Sequence, residues 1–292
     1  MSELETYDEA VHVERPGADL YVEQVGPKTG RTVYYLHGGP GYHAHAFRDL
    51  LGDDLERYRM IYTDQRGGGR SYADAPFDLD VLADDVAAVL EVLGAAPASL
   101  LGHAFGATFA VRAALRHPER IDSIVLVNPW FSMPMLARTL QREAAQRSVR
   151  PETVLPPEGA LADAEALDPL ELVDTAFGQV SAKTLFDALE FPDPSTRLRL
   201  EHSDATALLG PTATAGIDAP WRVDVLRDLT TLTTPTVVVS GTRDGTAFPD
   251  QVEAGLARLP EAMSGLLDAG HYPWIDDPAS FLQLLEDALP PA

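Results

Sequence analysis

The amino-acid sequence predicts an α/β fold, with a mostly parallel central sheet, helices on both faces and an inserted helical cap. Short runs rich in β-branched residues alternate with amphipathic segments at helical spacing, a pattern typical of parallel strands joined by helices. The alternation stops after Pro129 and resumes at Pro235, and the span between them is helix-prone and rich in proline. We therefore expect a core formed by residues 1–129 and 230–292, and a cap formed by residues 130–229.

Strands and helices follow one another through both parts of the core. Apolar residues at near-helical spacing predict a helix that begins at Leu79 and ends before Gly94, a C-terminal glycine cap. After the cap, a β-branched strand begins at Pro235. The remaining predicted strands are Ala18–Val25, Arg31–Leu36, Met60–Thr63, Ser99–Leu101, Ile121–Val127 and Ser264–Leu267, and the remaining predicted helices are Phe105–Arg116, Pro249–Leu259 and Asp277–Leu289.

Composition excludes several classes of function. The chain contains no cysteine, which excludes disulfides, thiolate metal sites and cysteine catalysis. Its net charge of −23 disfavours nucleic acid and anionic membranes as partners, but would attract cationic substrates such as peptides with a free amino terminus. Solubility alone accounts for this charge equally well. The acidic N-terminal stretch has no apolar signal core and no apolar run reaches membrane-spanning length, so we expect a cytoplasmic protein.

A sharp turn is predicted between the strand ending near Leu101 and the helix beginning at Phe105. Gly102 and Gly106 bracket this turn in the pattern Gly-His-Ala-Phe-Gly. Gly-x-Ser-x-Gly in the same strand–turn–helix context exposes a nucleophilic serine, and here Ala104 occupies the serine position. A plain strand-to-helix turn would explain the glycines alone, so the other motifs must decide.

Asp244 and His271 each follow a predicted strand, in the chain order nucleophile, acid, histidine. Such a carboxylate would fix the imidazole tautomer, and the imidazole would carry the nucleophile's proton. Taken singly, each residue could equally be an ordinary loop residue. The glycine-rich stretch from His37 to Gly41 also follows an early strand, where backbone N–H groups can stabilise a developing oxyanion; we expect the donors to be those of Gly39 and Phe105.

Together these motifs, with Asp-Gln-Arg-Gly-Gly-Gly-Arg-Ser at 64–71, resemble the proline iminopeptidases of the α/β-hydrolase superfamily. The resemblance implies release of an N-terminal residue, preferably proline, from a short peptide or amino-acid amide through an acyl-enzyme, without cofactor or metal. It also implies a cap carboxylate that binds the substrate's amino group, for which Glu201 is the candidate. Trp130, Phe131 and Trp221 are candidates to enclose the substrate ring, although simple packing in the cap would explain them as well. Some relatives carry a second glutamate directly after the catalytic aspartate, where this chain has Gly245.

Ala104 has two explanations beside an intact aspartate and histidine. It could be an engineered replacement of a serine, or it could belong to a natural binding protein that kept the pocket. We expect the first, because the oxyanion loop, the acid and the base are all present. An aspartate nucleophile in an ancestor fits the Gly-Gly-Pro-Gly loop less well. The alternative activities are those of an esterase or another small-molecule hydrolase.

Overall fold

A computed structural model gives the structure of residues 5–74, 78–148, 167–209 and 219–290. A nine-stranded sheet forms the centre of the molecule, in the order β1-β2-β4-β3-β6-β7-β8-β9, with the short β5 paired to β2. In chain order the strands are Thr6–Arg15 (β1), Ala18–Pro27 (β2), Thr32–Leu36 (β3), Arg59–Thr63 (β4), Tyr72–Ala73 (β5), Ala98–His103 (β6), Ile121–Val127 (β7), Thr236–Gly241 (β8) and Met263–Leu267 (β9).

The strands from β4 to β9 in this order pair in parallel, whereas β1, β2 and β5 pair antiparallel at one side of the sheet. Helices cover both faces of the sheet, and the sheet separates two buried apolar clusters, one on each side. The α-helices are His45–Leu51 (α1), Leu79–Val92 (α2), Phe105–Arg116 (α3), Met133–Arg147 (α4), Pro169–Gln179 (α5), Ala182–Glu190 (α6), Pro194–Asp204 (α7), Asp250–Leu256 (α8), Pro273–Asp276 (α9) and Pro278–Ala288 (α10). The predicted α/β class with a mostly parallel sheet is confirmed.

Residues 130–229 contain helices wherever the structure describes them, and the only pairing of strand type in those described parts is an isolated bridge between Ser132 and Asp224. Residues 149–166 and 210–218 of the predicted cap lie outside the described residues. Prolines begin several of these helices, at positions where the missing N–H group costs nothing: Pro169 and Pro194 each follow an aspartate whose side chain caps the helix. None of the helices in the described ranges is long and apolar enough to cross a membrane.

The sequence prediction missed the short elements β5 and α9, and also the longer β1 and α1. β1 is an edge strand whose side chains are mostly exposed and largely charged, so it lacks the apolar alternation that identifies a half-buried strand. α1 is only seven residues long, too short for a periodic pattern to be recognised. It buries Ala46, Phe47 and Leu51 against the sheet.

Candidate active site

The parallel strands end at one edge of the sheet, and the predicted turn at Ala104 lies at that edge. Ala104 has φ 50° and ψ −115°, a conformation that L-residues rarely adopt. Gly106 lets this turn approach β3 closely, because a Cβ at that position would lie 2.1 Å from the carbonyl oxygen of Leu36. The backbone therefore has the strained turn of a nucleophile elbow, and it presents a methyl group there.

Asp244 and His271 meet beside this turn. Nδ1 of His271 lies 2.9 Å from Oδ2 of Asp244, and both residues are buried. Burial alone would lower the pKa of His271, but the negative charges of Asp244 and Glu190 outweigh it, so the pKa is raised. A raised pKa suits an imidazole that must accept a proton during a reaction.

The glycine-rich loop after β3 lies directly against the turn. A Cβ at Gly38 would lie 3.1 Å from the Cβ of Ala104, and Gly39, at φ +78°, lines the pocket beside it. Phe105 begins α3 directly after Ala104, and its ring packs on Phe109 with centroids 4.8 Å apart. Gly39 thus lines the same cavity as Ala104, and Phe105 follows Ala104 in the chain; that their N–H groups are the two oxyanion donors stays a prediction.

A cavity of about 350 Å³ opens above Ala104 and His271. Its walls are largely apolar and aromatic: Trp130, Met133, Phe177, Ala182, Phe186, Trp221 and Tyr272. Trp130 and Trp221, both predicted from the sequence, are therefore pocket residues. Within the described ranges, no three histidine, aspartate or glutamate side chains are placed to hold a metal ion.

Glu190 is the one acidic residue among the described residues that line the cavity, and the sequence analysis missed it. Its Oε1 lies 3.9 Å from Nε2 of His271, and the residue is only 7% exposed. Burial raises its pKa to about 7, and the charges of Asp244 and Asp187 act in the same direction. Its position between Leu189 and Phe191 could have identified it as a buried carboxylate, because a glutamate with apolar residues on both sides is unusual on a solvent-facing helix.

Two predictions about the cap were wrong. Glu201 lies on the exposed face of α7 and does not line the cavity, because its carboxylate pairs in solvent with Arg197 at 2.8 Å and Lys183 at 3.6 Å. Phe131 also lies outside the cavity. Its fully buried ring packs beneath α8, so close that a Cβ at Gly255 would lie 2.3 Å from a ring carbon.

The last turn of α6 is hydrogen-bonded to both loops that carry the acid and the histidine. The N–H of Gly245 donates to the carbonyl of Leu189 at 2.9 Å, and the N–H of His271 donates to that of Glu190 at 2.9 Å. These carbonyls belong to the helix end, where no intrahelical donor is left for them. Gly270 permits the contact, because a Cβ there would lie 2.4 Å from the Glu190 oxygen.

Asn128, which directly follows β7, forms hydrogen bonds to the end of β8 and to the loop that carries His271. It is fully buried and has φ 43°, which asparagine tolerates better than most residues. Its Nδ2 donates to the carbonyls of Gly270 at 3.1 Å and His271 at 2.9 Å, and its Oδ1 accepts from the N–H of Gly241 at 2.8 Å. The side chain therefore fixes the ends of β8 and β9 relative to each other.

Solved structures resemble this chain over nearly its whole length. A proline iminopeptidase-related protein from Thermus thermophilus is 36% identical, with a TM-score of 0.82 and 97% of each chain covered. A proline iminopeptidase from Mycobacterium smegmatis is 21% identical, with a TM-score of 0.71, 96% of this chain and 97% of that chain covered, and that likeness concerns the fold alone.

Several curated relatives by sequence are named putative carbamate hydrolases and not proline iminopeptidases. A putative carbamate hydrolase, RutD, from Caulobacter vibrioides is 36% identical over 107 residues, a match that spans 36% of this chain and 40% of the relative. The family described as alpha/beta hydrolase fold matches residues 31–278, which include the elbow, the acid and the histidine. This chain belongs to the alpha/beta hydrolase fold family.

Proposed function

We propose that this chain has the site of an aminopeptidase-type hydrolase, one that accepts the N-terminal residue of a short peptide or an amino-acid amide. The observation that carries the proposal is Glu190, a buried carboxylate beside His271 in an otherwise apolar cavity. A buried carboxylate is stabilised by a cation, and an α-ammonium group is the cation that a peptide offers next to its first carbonyl. The 36% identity with the iminopeptidase-related protein of Thermus thermophilus supports the same substrate class.

The residues that line the cavity suggest how the N-terminal residue of a substrate would bind. The ammonium would lie against Glu190, and the rings of Trp130 and Phe186 would cover a small apolar side chain or a proline ring. The carbonyl carbon would then lie over Ala104, with its oxygen toward the N–H groups of Gly39 and Phe105. The proposal thus replaces Glu201 with Glu190 as the amine-binding carboxylate.

We propose further that Ala104 stands where the reaction requires a serine. With serine present, its Oγ would attack the carbonyl carbon as His271 Nε2 takes the hydroxyl proton, and the same proton would pass to the departing amine. Water would then release the acyl group by the same route. With Ala104 the chain binds its ligand without forming the acyl-enzyme, and turnover falls by a factor on the order of a million relative to the serine form.

Calorimetry on the unchanged chain tests the binding step. Prolinamide should bind, and N-acetylprolinamide, which has no ammonium group, should bind about tenfold more weakly or worse. Glu190→Gln should remove this preference for the free amine. Glu201→Gln is the matched control and should leave both affinities unchanged, because Glu201 lies outside the cavity. Equal affinity of the unchanged chain for the two amides would contradict the proposal.

Ala104→Ser tests the chemistry. The variant should hydrolyse proline p-nitroanilide and should be labelled by a fluorophosphonate probe, because Asp244 and His271 are already hydrogen-bonded beside the new hydroxyl group. A serine variant that binds prolinamide but reacts with neither reagent would leave the chain a binding protein of hydrolase fold.

An esterase is the second candidate, and the apolar cavity walls favour it. Below its pKa of about 7, Glu190 is neutral, and the cavity then suits an uncharged acyl group. The serine variant separates the two functions: an esterase would cleave p-nitrophenyl acetate at least as well as the prolyl anilide, and N-acetylation of a substrate would not slow it. The aminopeptidase-type site should lose activity on acetylated substrates.

A further inference from the structure

We propose that Trp130 and Thr246 are positioning residues: the indole N–H fixes the direction of the Thr246 hydroxyl, which holds Asp244 so that His271 keeps its proton on Nδ1. An unprotonated Nε2 then faces the cavity. The proposal rests on four buried side chains and on the hydrogen-bonding capacity of each, and it holds whether or not the cavity takes an amine.

The first step is the direction of the Thr246 hydroxyl. Nε1 of Trp130 lies 3.0 Å from Oγ1 of Thr246, and an indole nitrogen can only donate. Oγ1 is therefore an acceptor toward Trp130, and its own proton must point elsewhere. Oδ1 of Asp244 lies 2.6 Å from Oγ1, so the hydroxyl proton goes to the carboxylate.

The second step is the orientation of the carboxylate. Oδ1 of Asp244 accepts from both the hydroxyl and the backbone N–H of Thr246, the latter at 2.9 Å. Both Thr246 donors bind the same carboxylate oxygen, Oδ1. The other oxygen, Oδ2, is therefore directed at Nδ1 of His271, 2.9 Å away. A carboxylate fixed in this way accepts a hydrogen bond from imidazole in one tautomer only.

The third step concerns the contact between Nδ1 of His271 and Oγ1 of Thr246, at 3.2 Å. Because the threonine proton is already committed to Asp244, Nδ1 must be the donor in this contact too. The indole N–H and the Nδ1–H group then occupy the two lone pairs of Oγ1, and the hydroxyl proton is left for Asp244. Loss of the indole frees one lone pair and lets the hydroxyl rotate away from this arrangement, so Trp130 favours the tautomer with its proton on Nδ1.

Trp130 also meets the imidazole directly. Its ring stacks on that of His271, with centroids 5.4 Å apart and 26° between the planes. The ring of His103 contacts the same imidazole with its centroid 4.5 Å away. The groups that face His271 are Asp244 from the loop after β8, Glu190 from α6, His103 from β6 and Tyr272 beside it. A wall of the ligand cavity is thus joined to the acid by two successive hydrogen bonds.

The test uses NMR titration of ¹⁵N-histidine in the unchanged Ala104 chain, with the His271 signals assigned by a His271→Gln spectrum. Thr246→Val should raise the pKa of His271 by about 0.5 or more, because the carboxylate loses a donor that shares its charge. Thr246→Ser, which keeps the hydroxyl, should restore the original value. Trp130→Phe should shift the ¹⁵N signals of neutral His271 toward the other tautomer.

Thr108→Val is the matched control. Thr108 is fully buried and donates to the carbonyl of Trp130 at 2.6 Å, yet it makes no contact with Asp244. Its loss should lower stability and leave the pKa of His271 unchanged. An unchanged pKa in a folded Thr246→Val chain, or an equal shift in Thr108→Val, would overturn the proposal.

A kinetic test follows if Ala104→Ser is active. In that background Thr246→Val should lower kcat about tenfold and leave KM within about twofold, since Thr246 does not line the cavity. A rise in KM at constant kcat would contradict a positioning role. The NMR titration reports on the proposal even when the serine variant is inactive, so failure of the proposed function is distinguished from failure of this one.

Discussion

Two buried histidine–aspartate neighbourhoods lie at the same edge of the sheet, and they differ in what holds them. His37 and Asp64 follow the adjacent strands β3 and β4, and His271 and Asp244 follow the adjacent strands β9 and β8. All four side chains are essentially inaccessible to solvent. The position of a residue at a strand end therefore does not decide whether it serves structure or chemistry.

In the first neighbourhood, structural partners occupy the polar atoms. Arg70 binds Asp64 with its Nε 2.6 Å from Oδ2, and this charge lowers the pKa of Asp64 although burial acts the other way. Nε2 of His37 accepts from the N–H of Gln65 at 2.9 Å, and its Nδ1 donates to the carbonyl of Gly38 at 2.8 Å. Burial then lowers the pKa of His37 to about 4. In the second neighbourhood, Thr246 occupies Oδ1 of Asp244, Oδ2 is left for His271, and Nε2 of His271 faces the cavity.

The largest expected difference between the two neighbourhoods is catalytic. In an Ala104→Ser chain, His271→Gln should lower kcat by about 10⁴-fold or more, because the serine loses its base. His37→Gln should change kcat by less than about tenfold, since glutamine can still accept a hydrogen bond where Nε2 of His37 did. Steady-state kinetics on one anilide substrate measures both. Comparable losses in the two variants would mean that His37 takes part in the reaction.

The next difference is in stability. Asp64→Asn should lower the free energy of unfolding by about 3 kcal/mol, because it leaves the partly buried guanidinium of Arg70 short of a partner. Asp244→Asn should cost about 1 kcal/mol, because asparagine can keep most of the hydrogen bonds from Thr246. Urea unfolding at neutral pH measures the free energy of unfolding of both variants. The order would be reversed if Asp244, and not Asp64, were the main structural carboxylate.

The third difference is in the pH dependence of stability, and its sign is opposite for the two histidines. His37 has a folded pKa of about 4 against 6.5 for the free side chain, so stability should fall by up to about 3 kcal/mol between pH 6.5 and pH 4. His37→Gln should flatten that decline. The folded pKa of His271 is raised, so its contribution is present below pH 6.5 and disappears as the pH rises through the folded value.

Urea unfolding of the two glutamine variants across the pH range checks these signs. The stability difference between the His271→Gln variant and the unchanged chain should be largest at acid pH. For His37→Gln the difference should shift in the variant's favour as the pH falls. Profiles that run parallel would contradict the assigned titrations.

The site residues that follow the core strands could be predicted because short sequence patterns identify them. A turn between a strand and a helix, with glycines at 102 and 106, has few backbone solutions, and parallel strands carry their following loops to one edge. Asp244 and His271 therefore meet although 27 residues separate them. The cap carries no such constraint, because its residues reach the cavity only through the packing of helices against one another.

Glu190 and Glu201 illustrate the difficulty. Both are glutamates at the ends of helices in the cap, and only their neighbours distinguish them. Glu201 has Arg197 four residues before it, a spacing typical of an ion pair on an exposed helix face. Glu190 has apolar neighbours, which is the better sign of an inward carboxylate. The resemblance to the proline iminopeptidases instead led to the prediction of Glu201, which lies outside the cavity.

The hydrogen bonds from Gly245 and His271 to the end of α6 set a rule for how the cavity can open. A motion that lifts α6 breaks both bonds, which support the two loops that hold the acid and the base from the cap side, whereas Asn128 supports them from the sheet side. Opening along this helix therefore loosens the acid and the base at the same time. The amides of Gly245 and His271 would exchange with solvent at a common rate, and that rate would measure how often the cap opens.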